Sequence, residues 1–335
     1  MDKMMKRKRV TALMLCVLMS LSSLPASALE VPAEEPFSEI YVSSEGSDKS
    51  GDGSREFPYQ SVRKAYDESD QNGRIIVSGT IVIDDYMDIL KFSENKNIEL
   101  SGIENGCILY DGDQNIDPAS AVLKVTAGEV ALCNSPLKMP DERGKNGRVL
   151  YVSENGNVTI GNGTVIENGY LAASSGNIYT GRGGKVILNG GIVRNGYLAI
   201  TNADAYGAGV FVDEGGSFLM KSGEISGNTA RATGSSYRTF GGGAAVMNGG
   251  RFEMTGGKIS ENQAGTGGDG LYLQQGAEAV FRAPEPADGT ALKIRGNRLI
   301  ATQAENNVYF AEKAEAFLSG GMAGADIGVT CEDDY

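Results

Sequence analysis

Histidine and tryptophan are absent from the 335-residue chain, and cysteine occurs only four times. Without histidine there can be no Ser-His-Asp or Cys-His nucleophile system and no histidine-bearing metal site. The lack of tryptophan removes the strongest aromatic platform for a sugar ring. The three cysteines after Cys16 are an odd and sparse set for an oxidising compartment. These absences exclude histidine-dependent catalysis and argue against a disulfide-stapled fold.

Residues 1–28 have the three parts of a secretory signal peptide. Lys6 to Arg9 are basic, Val10 to Leu24 are mostly apolar, and Ala26-Ser27-Ala28 is a small-residue cleavage site. No second apolar run of that length follows, so the mature chain is predicted to be soluble, secreted or extracellular at the cell surface, without membrane contact after cleavage. The segment holds five Lys or Arg and one Asp, so its removal lowers the formal net charge from −13 to −17. This acidity argues against nucleic acid and anionic membrane as partners.

A thirteen-residue phrase recurs in the second half of the chain. It reads Gly, any residue, Val or Phe, any residue, Ile or Met, two residues, Gly, any residue, Val or Ile, two residues, Asn. Copies lie at 156–168, 184–195 (one residue shorter), 216–228 and 250–262, and a decayed copy ends at Asn297. Each copy alternates apolar and polar residues, as a strand with one buried face does, and bends at Gly and Asn. Such a repeat, with strands and no helix, predicts a stacked β-solenoid with Val158, Val186, Phe218 and Phe252 in one interior row.

The repeat divides the mature chain into unequal parts. A linker is predicted at 29–38, the solenoid at 39–330 with its regular repeats at 148–297, and an acidic tail at 331–335. Pro58 can open a short helix that carries Val62, Ala65 and Tyr66 on one face, so residues 59–68 are predicted to be an N-terminal helical cap over the first rung. Irregular early strands are expected at 75–77, 80–83, 97–103, 107–110, 122–125 and 129–133.

Each regular coil has a second strand ahead of its phrase. Because the flanking residues of these strands point inward, the middle residues are predicted to form an exposed column. Its members are Tyr151, Tyr179, Phe211, Ala245 and Tyr272. The four aromatic members are candidate glycan contacts; alternatively, the rings stack on one another and are covered by a wall of loops. That wall is predicted at 171–177, 198–207, 229–241 and 263–268, since the repeat is longer than a minimal coil.

Two sets of residues are expected to stack along the solenoid axis for structural reasons. The asparagines at the coil corners combine tolerance of left-handed backbone with side-chain amides that can bond along the axis. They are Asn168, Asn195, Asn228, Asn262 and Asn297. Cys107 and Cys133 are predicted on neighbouring rungs, either as stacked buried thiols or as a disulfide.

One acidic loop has oxygen-bearing side chains at alternate positions, as calcium-binding loops do. The residues are Asp111, Asp113, Asn115 and Asp117. The twelfth position of an EF-hand would fall on Val122, which has no side-chain oxygen, so the loop is not an EF-hand. It is either an incidental acidic turn or a weak Ca²⁺ site, and no other cofactor is expected.

Three stretches resemble a known family. Tyr41-Val42, the Gly/Ser/Asp loop at 46–54, Pro58 and Ala65 look like the N-terminal segment of secreted right-handed parallel β-helix proteins with the pectin-lyase-like fold. The phrase at 252–262 and the closing segments at 307–310 and 327–330 are similar to repeats of adhesin-like surface proteins of Gram-positive gut bacteria. The resemblance implies an all-β, right-handed parallel β-helix at the cell surface. It implies less about activity, because this fold hosts lyases, hydrolases and non-catalytic stalks.

A β-helix enzyme needs carboxylates clustered on neighbouring outward positions. The corresponding positions of the regular coils hold Thr159, Ile187, Leu219 and Glu253, which form no such cluster. The expected function is therefore a non-catalytic module for adhesion or for contact with glycans or host surface proteins. A Ca²⁺-dependent polysaccharide lyase or other glycan-cleaving enzyme is the alternative, and a spacer without ligand is a third. A downstream module or another chain is expected to dock on the last coil, where no amphipathic cap is visible.

Overall fold

The computed structural model describes residues 37–331, apart from 86, 88, 113–115, 118–120, 142–146, 172–173, 233, 235, 283–290 and 321–323. The predicted signal peptide, linker residues 29–36 and residues 332–335 of the predicted tail lie outside this part of the chain. Within it, the fold is all-β, with parallel sheets in a solenoid-like stack and a single helix. The arrangement is compatible with a parallel β-helix. No helix in the described ranges is long and apolar enough to cross a membrane.

Four sheets account for the strands. The first sheet has 15 strands, which are Ser38–Ser43, Asn72–Ile83, Asn97–Tyr110, Glu129–Cys133, Leu137–Lys138, Asn157–Gly161, Val165–Glu167, Lys185–Arg194, Ser217–Ser226, Arg251–Met254, Lys258–Ser260, Glu278–Arg282, Lys293–Ile294, Glu315–Ser319 and Asp326–Ile327. The second sheet has nine strands, which are Leu90–Phe92, Leu123–Val125, Leu150–Val152, Ile178–Thr180, Val210–Val212, Ala244–Val246, Leu271–Leu273, Val308–Phe310 and Val329–Cys331. The third has five strands, which are Tyr170–Leu171, Tyr197–Ile200, Thr229–Ala232, Gln263–Ala264 and Arg298–Leu299. Ala205–Tyr206 and Thr239–Phe240 form a fourth, two-stranded sheet.

The predicted interior row is confirmed. Val186 pairs in parallel register with Val158 and Phe218, and Phe218 pairs with Phe252. All four side chains are buried, and the Phe218 and Phe252 rings stack with centroids 5.6 Å apart. Each coil therefore shields the apolar interior of its neighbour, which is the source of stability in a stacked repeat.

The second half of the phrase lies one residue away from its predicted register in the first two copies. The buried residues there are Ile166 and Val193, which pair with each other, whereas Val165 and Ile192 face outward. Two adjacent β-branched residues fit a period of two in either register, so the apolar pattern cannot choose between them. The bend between the halves is at glycine as predicted. At Gly223, φ is +96° and a Cβ would lie 2.2 Å from the carbonyl oxygen of Gly191.

The predicted helix is present but starts later than expected. It spans Val62–Glu68, and Val62, Ala65 and Tyr66 are its buried residues, as the pattern predicted. Ser61 is the N-cap and its side chain accepts a hydrogen bond from the backbone N–H of Lys64, which satisfies one of the free donors of the first turn. Pro58 lies outside the helix.

The predicted loop wall is partly wrong, because each of its segments begins with a strand of the third sheet. Leu171, Leu198, Ala230 and Ala264 on these strands are buried in a second small apolar cluster. Three of the five strands in this sheet have only two residues, which is too short to reveal a period of two. The coils thus have a third side.

The two cysteines are free and do not stack on each other. Cys133 pairs with Ser101, whereas Cys107 pairs with Thr80, so neither the thiol stack nor the disulfide forms. Glu104 and Asn105, both with left-handed backbone, bend the strand Asn97–Tyr110 and shift its register between positions 103 and 107. This irregularity displaces Cys107 from the rung that simple counting assigns to it.

Candidate functional site

The predicted column of aromatic residues exists, but most of it is not exposed. Tyr151 stacks on Tyr179 with ring centroids 4.6 Å apart, and Tyr179 stacks on Phe211 at 5.8 Å. However, Phe211, Ala245 and Tyr272 are only 8%, 0% and 6% exposed. The prediction of an exposed column is therefore wrong for these three residues, and Tyr151 and Tyr179 are half-buried. Whether any member contacts a glycan stays a prediction.

Two rings from the fourth sheet cover the column. Phe240 stacks on Tyr272 with centroids 4.5 Å apart, and Tyr206 stacks on Phe240 at 5.6 Å. The Phe240 ring lies in the same apolar cluster as Ala245, and a Cβ on the adjoining Gly241 would lie 2.7 Å from that of Ala245. The small alanine thus leaves room for the covering loop. The sequence does contain a signal for this covering, which was not recognised. An aromatic residue followed by glycine begins five residues before a column position, at Tyr206 before Phe211 and at Phe240 before Ala245.

Replacement of the covering ring tests this packing. Phe240→Ala should lower the free energy of unfolding by about 2–4 kcal/mol, because a buried ring contact is lost and a cavity is left. Ala245→Phe alone should also destabilise, by about 1–3 kcal/mol, through overpacking. In the double variant, the new ring occupies the vacated space, so the two losses should be less than additive in urea unfolding. Strict additivity would contradict the packing described here.

A buried cation lies at the start of the column. The Arg148 guanidinium stacks over Tyr179 and Tyr151, at 4.9 and 5.7 Å from the ring centroids, and its Nε donates to Ser175 Oγ at 2.9 Å. Burial lowers the pKa of Arg148 to about 10, so the group stays cationic at neutral pH. Tyr179 donates its hydroxyl proton to Asp213 Oδ2 at 2.7 Å. Burial and this hydrogen bond both raise the pKa of Tyr179. The contacts fix the half-buried rings in place.

The amide ladder forms with a different membership from the predicted one. Nδ2 of Asn228 donates to Oδ1 of Asn262 at 2.9 Å, and Nδ2 of Asn262 donates to Oδ1 of Asn297 at 2.9 Å. The row continues to Asn177 at one end, at 3.1 Å, and to Asn307 at the other, at 2.9 Å. All three central members are fully buried.

Asn168 and Asn195 are not members of this ladder, which corrects the prediction for both. They have left-handed backbone, with φ of 67° and 56°. Tyr197 pairs with Thr229, so Gly196 rather than Asn195 lies beside Asn228. Left-handed backbone and amide bonding along the axis, which were predicted for one asparagine, therefore occur at two adjacent corner positions. The side chains of Asn168 and Asn195 line a cleft instead.

Three connected cavities form this cleft along the outside of the early coils. The first, of about 250 Å³, is lined by Tyr170, Tyr197 and Thr229. It shares Pro140, Asp141, Asn168 and Asn195 with a cavity of about 610 Å³, which in turn shares Lys138, Glu167 and Arg194 with one of about 530 Å³. The cleft therefore runs across several coils, between the first and third sheets.

Two tyrosine rings form the apolar wall of the first cavity. Tyr170 and Tyr197 are partners in the third sheet and stack with centroids 5.7 Å apart and planes 5° from parallel. Both are half-buried. At the adjacent corner, the Nδ2 of Asn168 donates to the carbonyl of Met139 at 3.3 Å, while its buried Oδ1 has no hydrogen-bond partner. The cleft thus offers parallel aromatic faces beside the amide side chains of Asn168 and Asn195, features that suit a hydroxyl-bearing ring.

Charges of both signs line the middle cavity. Glu167 lies between Lys138 and Arg194 in register, and the Arg194 Nε donates to Glu167 Oε2 at 2.8 Å. Asp111 and Asp141 line the same cavity. The repeat pattern of the regular coils could not reveal this group, because two of the three carboxylates come from the irregular coils. The outward positions of the regular repeat, such as Thr159 and Ile187, lie on the other half of the first sheet.

The predicted calcium loop stays a prediction. Asp113 and Asn115 lie outside the described residues, while Asp111 and Asp117 are exposed. Within the described ranges, no group of three or more acidic or cysteine side chains is placed to hold a metal ion.

Comparisons with known proteins give no further guide to this cleft. No protein-family model, curated protein or solved structure matches the chain.

Proposed function

We propose that the chain is a secreted or cell-surface module that binds a glycan without cleaving it. The cleft provides the binding site, with Tyr170 and Tyr197 stacking on sugar rings and Asn168 and Asn195 bonding to hydroxyl groups. The carrying observation is the parallel pair of half-buried tyrosines, which lines the same cavity as Asn168 and Asn195. The rings belong to successive coils, so a linear glycan that follows the axis meets them in turn.

The proposal includes a finer description of the fold. The solenoid is a right-handed parallel β-helix of the pectin-lyase-like superfamily, in the adhesin-like setting that the sequence resembles. The helix Val62–Glu68 is its N-terminal cap, a role supported by its contacts with the first strands of the first and second sheets. Adhesion, by contact with host or cell-surface glycans, is the role that we propose for such a module in the extracellular setting predicted from the signal peptide.

Glycan binding can be tested on an array, followed by titration calorimetry with the best oligosaccharide. We expect Tyr170→Ala with Tyr197→Ala to weaken binding by about 10- to 100-fold, the loss expected for two ring contacts. Tyr237→Ala is the matched control, since Tyr237 is 37% exposed and lies outside the cleft; its affinity should equal that of the wild type. If no glycan binds, or if the double variant binds as tightly as the wild type, the proposal is wrong. Tyr151→Ala with Tyr179→Ala tests the earlier column in the same assay.

Glycan cleavage is the second candidate, and one observation favours it. Asp111, Asp141 and Glu167 line a single cavity, and paired carboxylates are the groups that glycoside hydrolysis requires. Incubation with pectin or glycosaminoglycans, with and without Ca²⁺, separates the candidates. New absorbance from an unsaturated uronate product, or new reducing ends, that disappears in Glu167→Gln would establish an enzyme and overturn the non-catalytic proposal.

A further inference from the structure

In the part of the chain that the structure describes, the last coil leaves the apolar interior of the solenoid exposed. Leu318 pairs with Phe281 and so continues an interior row, yet it is 70% exposed, whereas Phe281 is 2% exposed. Val329 continues an interior row of the second sheet below Val308 and is 57% exposed, against 0% for Val308. An apolar cavity of about 390 Å³, open to solvent, lies at this end.

Over the described residues, the first coil has no comparable opening. Its interior residues Val42, Leu90 and Phe92 are 1%, 2% and 1% exposed. The helix Val62–Glu68 contacts the strands that carry these three residues. A second copy stacked head-to-tail would meet this helix rather than an open row, so the two ends of the molecule do not complement each other.

The open end does complement itself. We propose that two copies of the chain join tail to tail about a two-fold axis, with the strand Glu315–Ser319 pairing antiparallel with its counterpart around Phe317. In this register, the large inward Leu318 lies opposite the small inward Ala316 of the other copy, because opposite residues share a face. Glu315 lies opposite Ser319, so no like charges meet. The two Phe317 rings, each 51% exposed, lie opposite each other on the outer face.

This pairing would satisfy an unpaired strand edge and bury an exposed apolar patch. Among the described residues, the strand Glu315–Ser319 lies at the edge of its sheet, and an unpaired edge is a template for another strand. A two-fold contact satisfies the edge and buries the same patch on both copies, and it closes the assembly at two. The inference is independent of the glycan proposal, since the cleft lies on the early coils.

Sedimentation equilibrium of the purified chain from about 1 to 100 µM tests the proposal. A dimer is expected for the wild type, and Leu318→Glu should raise its dissociation constant at least 100-fold, which corresponds to about 2.7 kcal/mol. Phe57→Glu is the matched control, because Phe57 is 59% exposed and lies far from the last coil in sequence; its dimer should persist. Circular dichroism checks that both variants stay folded.

A disulfide cross-link tests for the same dimer without requiring that the Leu318→Glu variant folds. In a background with Cys133→Ser and Cys331→Ser, Phe317→Cys should form an intermolecular disulfide with its own copy, and Phe57→Cys should not. A monomeric wild type, as expected if a different protein covers this end, would overturn the proposal. So would an open-ended series of oligomers, or a dimer that Leu318→Glu leaves intact and Phe317→Cys cannot cross-link.

Discussion

Asn262→Ala is expected to lower the free energy of unfolding by about 3–5 kcal/mol, the largest effect of any single substitution considered for this chain. Oδ1 of Asn262 accepts the backbone N–H of Asn228 at 3.0 Å, and its Nδ2 donates to the carbonyl of Ile225 at 2.9 Å. Alanine removes both partners, along with the amide bonds to the asparagines on either side. Each buried group left without a partner costs about 1–3 kcal/mol.

The matched control is Asn248→Ala, since Asn248 is exposed in the same coil. Its unfolding free energy should change by less than about 0.5 kcal/mol. Asn262→Asp keeps the shape but replaces the amide donor with an acceptor opposite Asn297 Oδ1, so it should also destabilise strongly. Urea unfolding at neutral pH gives all three values. An Asn262→Ala protein as stable as the control would show that the ladder contributes nothing.

Asp269 is expected to make stability depend on pH. The residue is fully buried at a coil corner, its Oδ1 accepts the backbone N–H of Ala264 at 2.8 Å, and its Oδ2 has no hydrogen-bond partner. Burial raises the pKa of the Asp269 carboxyl to about 7 from its ordinary 3.8. A carboxyl with a raised pKa binds a proton more tightly when the protein is folded than when it is unfolded.

The sign of the pH effect follows from that difference. Between about pH 4 and pH 7, the folded state holds a proton that the unfolded state has released, so the free energy of unfolding falls as the pH rises. Below the unfolded pKa the contribution is complete, and above the folded pKa it has been lost. The loss amounts to on the order of 2–4 kcal/mol, since one pKa unit corresponds to about 1.4 kcal/mol.

Asp269→Asn should remove this dependence and stabilise the protein at pH 8 by a similar amount. The corner position accepts asparagine, because Asn306 lies beside Asp269 on the next coil and its Oδ1 accepts the backbone N–H of Gly268 at 2.9 Å. Urea unfolding from pH 4.5 to 8 compares the variant with the wild type, and exposed Asp70→Asn is the control that should follow the wild-type profile. If the wild-type and Asp269→Asn profiles run parallel, the carboxyl does not titrate in this range.

The stacked parallel strands were predictable because the same sequence repeat occurs in several successive coils. Each phrase joins a period of two with glycine at a fixed place, so strand positions and the interior row through Phe218 and Phe252 follow directly. Register was not predictable where Val165-Ile166 and Ile192-Val193 put two apolar residues side by side. The pattern is then equal in both registers, and only the neighbouring coil decides which residue is buried.

The candidate site was much less predictable. The exposed column failed because Tyr206 and Phe240 fold back from segments that sequence treats as loops, and periodicity carries no information about how a loop packs. The cleft could not be predicted because the residues that line it either lie outside the regular repeats or were assigned to another role. Asp111 and Asp141 come from the irregular coils, and Asn168 and Asn195 looked like ladder residues until the register placed Gly196 beside Asn228.

A crystal structure of the chain with an oligosaccharide taken from the array is the most direct test of the account. It should show the four residues of the interior row aligned behind the first sheet. Sugar rings should lie on Tyr170 and Tyr197, with hydroxyl groups hydrogen-bonded to the side chains of Asn168 or Asn195. A ligand bound elsewhere would refute the cleft as the binding site. Interior-row side chains facing solvent would contradict the stacked coils from which every other conclusion follows.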